Sequence, residues 1–550
     1  IIKRKGRDVY VGQENRANAL LQEGTPEAMR KCLRLYPLSN ASDTAALELA
    51  NSLMKAFAPE DATTLLQVAL EENPDRARGA ELQAMLALCY DASGERLRAR
   101  LLAARLLREN PEGKLNVDGA SRSFKDILKP LAEGGEDGDA KEALPRLPQQ
   151  LTELWARRWD VGGFTRLPEQ PVMAPIPRIY VGERNRLGNQ LLALNAQDGT
   201  PDWSQEVAVT VTDLHRTRRG TLFVQGQGFA LYDDNGNEQW SLPSGGTPDP
   251  VSLRGGMLVF GTRYYYRGTE QYMVRITAID ADTGGEVWKT SLPANSTRWI
   301  EQSPAGVLIM TTADETSLTL LNTENGEVLK TVELKSMGRV TVRPMVFDDR
   351  VMVVDRDGKM HVFSTESLSP VSEFETKIRF PTRFERVGDD LLVVGLTGAG
   401  RFAAKDGKVV WRLDYDDNVV VTAQVVLDEA LVLATRTPGS AGQISGYDLE
   451  TGKPTFKYAI KRQNESDRID LQNAAAFKGG VVVAFSDNRI ISGRMQLWGF
   501  RMVVLNADGS ERYSWEHEAD ASPLFMQLAV IDDYIALTCD NTTFGFGHKD

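Results

Sequence analysis

The sequence predicts a mainly β protein, an eight-bladed β-propeller over residues 175–550, preceded by an α-helical repeat domain over 1–130 and a linker over 131–174. Three observations carry this. A phrase consisting of an apolar strand, a polar Gly-bearing turn and a large apolar residue recurs eight times between about residues 190 and 515. The amino-terminal part has a different, helical period. A Gly-, Glu- and Asp-rich stretch, Leu131 to Gln150, separates the two.

The phrase reads LLALNAQDGTPDW to Trp203, FALYDDNGNEQW to Trp240, ITAIDADTGGEVW to Trp288 and LTLLNTENGEVL to Leu329. More eroded copies end at Phe374, Trp411, Phe456 and Trp515. Successive anchors lie 37, 48, 41, 45, 37, 45 and 59 residues apart. Strand-rich repeats of that length are the signature of four-stranded blades arranged radially. In ITAIDADTGGEVW both faces of the strand carry apolar side chains, which suits a blade packed between two blades. Asp282, Thr283, Gly284 and Gly285 then supply hairpin-turn chemistry. The anchors Trp203, Trp240, Trp288, Trp411 and Trp515 are read as wedge-filling structural residues. Beyond Trp515 the segments FMQLAVID, YIALTCD and TTFGFGHKD are strands in search of a blade, expected to close the ring with strands from its beginning. Anchor counting gives eight blades and leaves seven or nine open.

In the amino-terminal region, two helical hairpins end alike, LLQVALEENP at Pro74 and AARLLRENP at Pro111, 37 residues apart and close to the 34-residue tetratricopeptide unit. On that TPR-like pattern Ala87, Tyr90, Gly94, Ala99 and Pro111 fall where small, aromatic, turn and terminating residues belong. Ala50, Ala62, Ala69 and Pro74 do the same in the first hairpin. Small residues let paired helices approach, and proline stops the second helix. Helices near 26–35 and 121–132 are expected to cap the pair. The arginines of the last clear helix, Arg96, Arg98, Arg100, Arg105 and Arg108, read as a solvated face, with docking of an acidic segment as the alternative.

Net charge is −12, and residues 1–165 carry 24 basic against 25 acidic side chains, so the acidity lies in the propeller. An acidic propeller repels a phosphate backbone, which argues against nucleic acid as a partner. No apolar run approaches the length of a transmembrane helix. The basic cluster Lys3, Arg4, Lys5 and Arg7 reads as a solvated end, and a signal peptide or lipid anchor preceding Ile1 is left open. Cys32, Cys89 and Cys539 allow one disulfide at most and are read as buried thiols. Four scattered histidines give no zinc motif.

The blade phrase, clearest in ALNAQDGTPDW and AIDADTGGEVW, resembles the PQQ-like repeat of quinoprotein-type propellers. Two families share it, the pyrroloquinoline quinone dehydrogenases and the non-enzymatic, BamB-like outer-membrane assembly lipoproteins. A quinoprotein needs Ca²⁺ with hard oxygen ligands and a carboxylate base; alcohol-oxidising members also carry adjacent cysteines, which this chain lacks. Its Asp-rich patches fall where Asp and Asn belong for backbone reasons, YDDNGN at 232–237 at a blade hairpin turn and LDYDDN at 413–418 at an inter-blade connection. The BamB side of the resemblance therefore implies no cofactor, no metal and no catalytic residue. It implies a scaffold or adaptor that binds proteins of a bacterial cell-envelope complex, on the periplasmic side, reaching membrane only through a partner or a removed anchor. The alternatives are a quinone- or ligand-binding relative and a cytoplasmic adaptor.

Long connections between second and third strands occur in repeats one, three, seven and eight, at residues 182–190, 261–274, 434–443 and 486–501. In an eight-membered ring, repeats seven, eight and one are neighbours, so the loops are expected to cluster on one side of one face. Arg263, Tyr264, Tyr265, Tyr266, Arg267, Arg494, Trp498 and Arg501 on these loops are the candidate interface, because Tyr, Trp and Arg dominate interface hot spots. The competing reading is a hairpin whose tyrosines simply pack on one another.

Overall fold

The computed structural model describes residues 11–56, 58–72, 78–93, 96–117, 120–133, 144–159, 165–166, 178–185, 188–207, 211–217, 219–266, 271–313, 315–334, 340, 342–347, 349–416, 418–427, 429–437, 442–460, 468–491, 494–519, 526–539 and 542–549. The chain divides into two compact units, residues 1–140 with 254–257, and 141–253 with 258–550.

The larger unit is a propeller of nine blades among the described residues, each a four-stranded sheet, which corrects the expected eight. In chain order blades one to eight span Thr165–Val207, Val211–Pro243, Val251–Leu292, Ser296–Glu333, Met345–Glu375, Pro381–Asp414, Val420–Ala459 and Arg468–Ala519. The ninth blade takes three strands from the tail, Met526–Ile531, Tyr534–Cys539 and Thr542–Gly547, and its outer strand, Thr152–Arg158, from the start of the unit. The miscount has a physical cause. The recurring phrase marks the hairpin between third and fourth strands, and in the ninth blade that hairpin is replaced by pairing of distant segments, Ala156 with Phe544. The anchor, Trp155, therefore sits 360 residues and more from the rest of its sheet. Strands Thr152–Arg158 and Thr165–Arg166 thus lie inside the stretch expected to be a linker.

Neighbouring blades share apolar cores. Val481, Val483 and Phe485 of blade eight pack with Val432 and Ile444 of blade seven, and Ile179 and Leu192 of blade one pack with Ala536 of blade nine, which closes the ring. Seven anchors dock on the hairpin turn of the next blade. Gly326 shows why the turn carries glycine. It takes φ +71°, closing on the carbonyl of Asn322 at 2.9 Å, and a Cβ there would lie against the ring of Trp288 from blade three. The same contact joins Trp155 to Gly199, Trp203 to Gly236, Trp240 to Gly284, Phe374 to Gly407, Trp411 to Gly452 and Phe456 to Gly509. Three indoles also donate to a turn carbonyl: Trp155 to Ala196 (3.0 Å), Trp288 to Thr323 (2.7 Å) and Trp411 to Leu449 (2.8 Å). Trp515 instead donates to Glu153 Oε2 at 2.7 Å and packs edge-on against Phe544 and Phe546 of blade nine.

The smaller unit is helical, with paired helices Asn40–Lys55 and Pro59–Glu72, and Gly79–Ala92 and Arg96–Glu109. Pro26–Leu35 and Phe124–Glu133 flank them, close to the expected caps. Ala50, Ala62, Ala69, Ala87 and Ala99 are all buried, where small side chains let the helices approach. Tyr90 is buried with its hydroxyl accepting from Gln67 Nε2 at 2.8 Å. Pro74 and Gly94 lie outside the described residues. All three cysteines are buried free thiols. Among the described residues no helix is long and apolar enough to cross a membrane.

Candidate functional site

The third blade carries the most distinctive described surface. Its middle strands, Met257–Tyr266 and Gln271–Asp280, are ten residues each, against five in Thr221–Gln225 and Gly228–Tyr232 of the second blade. The extra length extends the hairpin on the order of 15 Å at about 3.3 Å per residue. Alternation then sorts its side chains. The Arg263 guanidinium lies 3.7 Å from the ring centroid of Tyr272, and Tyr265 meets the same ring edge-on at 5.3 Å. With the opposite parity, Tyr264 donates to Ser291 Oγ at 3.0 Å while Arg275 lies 4.9 Å over its ring. Tyr265, Tyr266 and Tyr272 remain 51, 52 and 43% exposed. Each tyrosine has two rotatable side-chain bonds to order, and the stacked Arg263 restrains Tyr272 further, so burying these rings would cost little entropy.

The structure brings Arg263, Tyr264, Tyr265 and Tyr266 together and adds Tyr272 and Arg275, which sequence reading passed over. Both stand on the return strand, and pairing across the short hairpin was the available signal. Arg267 lies outside the described residues. Arg494 and Trp498 occupy the long strand Arg494–Asn506 of blade eight, paired with Ile491 and Asn488, and their side chains lie outside the described residues. Arg501 is committed within its own blade. It pairs with Glu516 at 2.7 Å and lies 5.3 Å over the ring of buried Phe485. Nine blades also change the map. Blades seven and eight stay neighbours, blade nine separates eight from one, and blades three and eight stand four steps apart on the shorter way round.

The Asp-rich turns are used internally. Asp233 Oδ1 accepts from the N–H groups of Asn235 (2.9 Å) and Asn237 (2.8 Å), and Oδ2 from the Asn237 and Gln239 amides. The Asn237 side chain foremost holds its carboxyl below the usual range. Asp234 receives both arms of Arg216, at 2.7 and 3.1 Å. Asp414 pairs with Arg412 at 2.8 Å. Among the described residues no three His, Cys, Asp or Glu side chains gather as a metal would require.

A family model described as "Outer membrane protein assembly factor BamB" matches residues 149–274 and 272–544. No curated protein matches the chain. Solved propellers resemble it at the level of fold. BamB from Moraxella catarrhalis is 14% identical, covering 61% of this chain and 96% of that one, with a TM-score of 0.42. The C-terminal WD40 domain of Sif2 is 11% identical over 74% and 100% (TM-score 0.43), and a europium-containing methanol dehydrogenase 11% identical over 63% and 87% (TM-score 0.39).

Proposed function

The chain belongs to the family described as outer membrane protein assembly factor BamB, and from that premise we propose that it is a non-enzymatic scaffold holding protein partners in a bacterial envelope complex, on the periplasmic side. The observation that carries the reading is the projecting hairpin of the third blade. Three part-exposed tyrosines and a stacked arginine form a preorganised surface of the residue types that dominate interface hot spots. The helical unit offers a second surface of the paired-helix kind that other proteins use for docking.

Crosslinking mass spectrometry in the native envelope fraction tests this. Crosslinks from the third-blade hairpin to another protein are expected, and Tyr265→Ala with Tyr272→Ala should release that partner while circular dichroism and melting stay near those of the unmodified protein. A folded double variant that keeps its partner would remove the hairpin from the interface. Release by Trp498→Ala alone would move the interface to blade eight. Recovery of the protein only in the cytoplasmic fraction would overturn the envelope assignment.

A further inference from the structure

Between blades four and five lies a cleft of about 470 Å³ lined by Arg298, Met310, Val340, Val342, Arg343, Pro344, Arg356 and Phe380. Three arginines at one cleft are conspicuous in a chain of net charge −12. Their origins differ: Arg298 stands on the first strand of blade four, Arg343 on the connection leading into blade five, and Arg356 on the turn after Val354. All three are exposed. Among the described residues none of the three guanidinium groups makes a hydrogen bond or a close ion pair, although Arg343 lies near enough to help lower the Asp213 carboxyl, whereas Arg216, Arg383 and Arg401 on the same propeller each hold a carboxylate. The Arg356 guanidinium carbon lies over the Phe380 ring, 4.2 Å from its centroid. Stacking uses the face of the guanidinium and leaves its in-plane N–H donors for a planar or tetrahedral anion.

The backbone beside the cleft is strained. Lys377 and Phe380 adopt φ of +61° and +49°, which side chains with a Cβ rarely take. Phe380 is held there by its N–H donating to the Arg356 carbonyl at 2.7 Å, so the strained residue and the stacked arginine are tied together. Strain of this kind collects where a ligand has to be met. The remaining lining, Met310, Val340, Val342 and Pro344, is apolar. Small-ligand sites are apolar concavities of roughly 300–1,000 Å³ with a few convergent polar groups, and this cleft meets that description.

We propose that this cleft binds a small ligand carrying two or more carboxylate or phosphoryl charges on an apolar body. Arg298, Arg343 and Arg356 take the charges, and Phe380 with the aliphatic wall takes the body. The site shares no residue with the third-blade hairpin, so the two assignments stand or fall separately.

The test is calorimetric titration of the whole protein with phenyl phosphate, benzene-1,3-dicarboxylate and inorganic phosphate. The two aromatic dianions separate phosphoryl from carboxylate recognition, and inorganic phosphate reports charge alone. At least one aromatic dianion should bind saturably and more tightly than inorganic phosphate. Arg298→Gln with Arg343→Gln, both on exposed side chains, should weaken it about tenfold or more, as losing charged hydrogen bonds does. Arg356→Gln should do the same, with the melting temperature showing whether that variant remains folded. Absence of saturable binding by either aromatic dianion, or equal affinity in the folded double variant, overturns the proposal. So does binding confined to a long acidic peptide, because the cleft would then be a protein-docking surface.

Discussion

Two adjacent blade junctions solve one packing problem in opposite ways. Between blades three and four, Trp288 reaches forward, lays its ring over Gly326 and donates to the Thr323 carbonyl, while Thr290 Oγ1 donates to the Gly326 carbonyl at 2.5 Å. Between blades four and five the forward-reaching ring is missing. The register pairs Leu320 with Lys330, as Ala278 pairs with Trp288, so Lys330 holds the anchor position. Leu329, which the sequence pattern offered as the anchor, is the bulged residue and stays 49% exposed. Blade five compensates from the other side. Leu368 occupies the place glycine has in the other turns, its N–H closing on the Ser364 carbonyl at 3.0 Å, and it accepts φ +51°. Its side chain is fully buried among Trp299, Leu318, Leu320 and Phe363. A propeller junction needs the wedge filled, and either blade can fill it.

This comparison can be broken most severely at Trp288. Trp288→Ala removes a buried ring and its hydrogen bond, and about 3–5 kcal/mol of stability should go with it. Urea titration followed by circular dichroism measures the loss; a change below about 1 kcal/mol would mean that the ring is not the wedge.

A smaller effect is expected at Leu368. Leu368→Gly empties the wedge, at about 2–4 kcal/mol for a large buried aliphatic side chain, but relieves a non-glycine residue of positive φ, worth about 1–2 kcal/mol. A net loss of about 1–2 kcal/mol is expected from these two opposed terms. The sharper experiment adds Lys330→Trp to Leu368→Gly, rebuilding the junction in the form used by blade three. The double variant should recover stability relative to Leu368→Gly alone, and an additive further loss would show that the two junctions are not alternative solutions to one problem.

How much of this was legible in the residues follows the same division. Trp203, Trp240, Trp288 and Trp411 announce their turns because ring, bulge and glycine come within one continuous phrase. Where filling is done from the next blade, as by Leu368, no local pattern records it. In blade eight the register places Tyr513, opposite Val504, where the other blades put their anchors, and Trp515 docks two residues further along the same strand face. The ninth blade was hidden because Trp155 and its sheet partners meet only through tertiary pairing, and the extra blade inserts between repeats eight and one, which an eight-membered ring made neighbours. The third-blade hairpin was readable as a run of tyrosines flanked by arginines, Arg263 to Arg267, but Arg501 was not readable as an internal residue, since its carboxylate Glu516 stands on the neighbouring strand. The arginine cleft draws on two blades and the connection between them, and no spacing in sequence marks it.

Indole hydrogen bonds provide a finer contrast within the anchors. Trp411 donates to the Leu449 carbonyl, whereas the buried indole nitrogen of Trp203 has no acceptor among the described residues. The turn beneath Trp203 is shorter: Gly236 closes on Asp233, three residues back, where Gly452 closes on Asp448, four residues back. Trp411→Phe should therefore cost about 1 kcal/mol more than Trp203→Phe, the net worth of one hydrogen bond. Equal losses in parallel denaturant titrations would show that only ring volume counts.

The smallest effect concerns acid. Asp198, Asp233, Asp448 and Asp508 sit in blade turns, where side-chain hydrogen bonds from Thr200, Asn237, Thr451 and Ser510, with backbone N–H groups behind them, hold their carboxyls below the usual range. A carboxyl depressed in the folded state binds its proton less readily than in the unfolded chain. It therefore contributes stability that is complete above the unfolded value near pH 4 and disappears as pH falls through the lower folded value. Asp198 and Asp508 are exposed and Asp233 and Asp448 only half-buried, so each contribution is screened by water and small. Asparagine is the matched replacement, because Asn322 Oδ1 already accepts from the Glu324 N–H at 2.8 Å in the blade-four turn without a charge to titrate. Replacing all four aspartates by asparagine should leave the urea midpoint near pH 7 almost unchanged and flatten its decline between about pH 5 and pH 3. An undiminished decline would place the acid sensitivity elsewhere, with Glu373, which Lys359 foremost and then His361 hold below its usual range, as the next group to test.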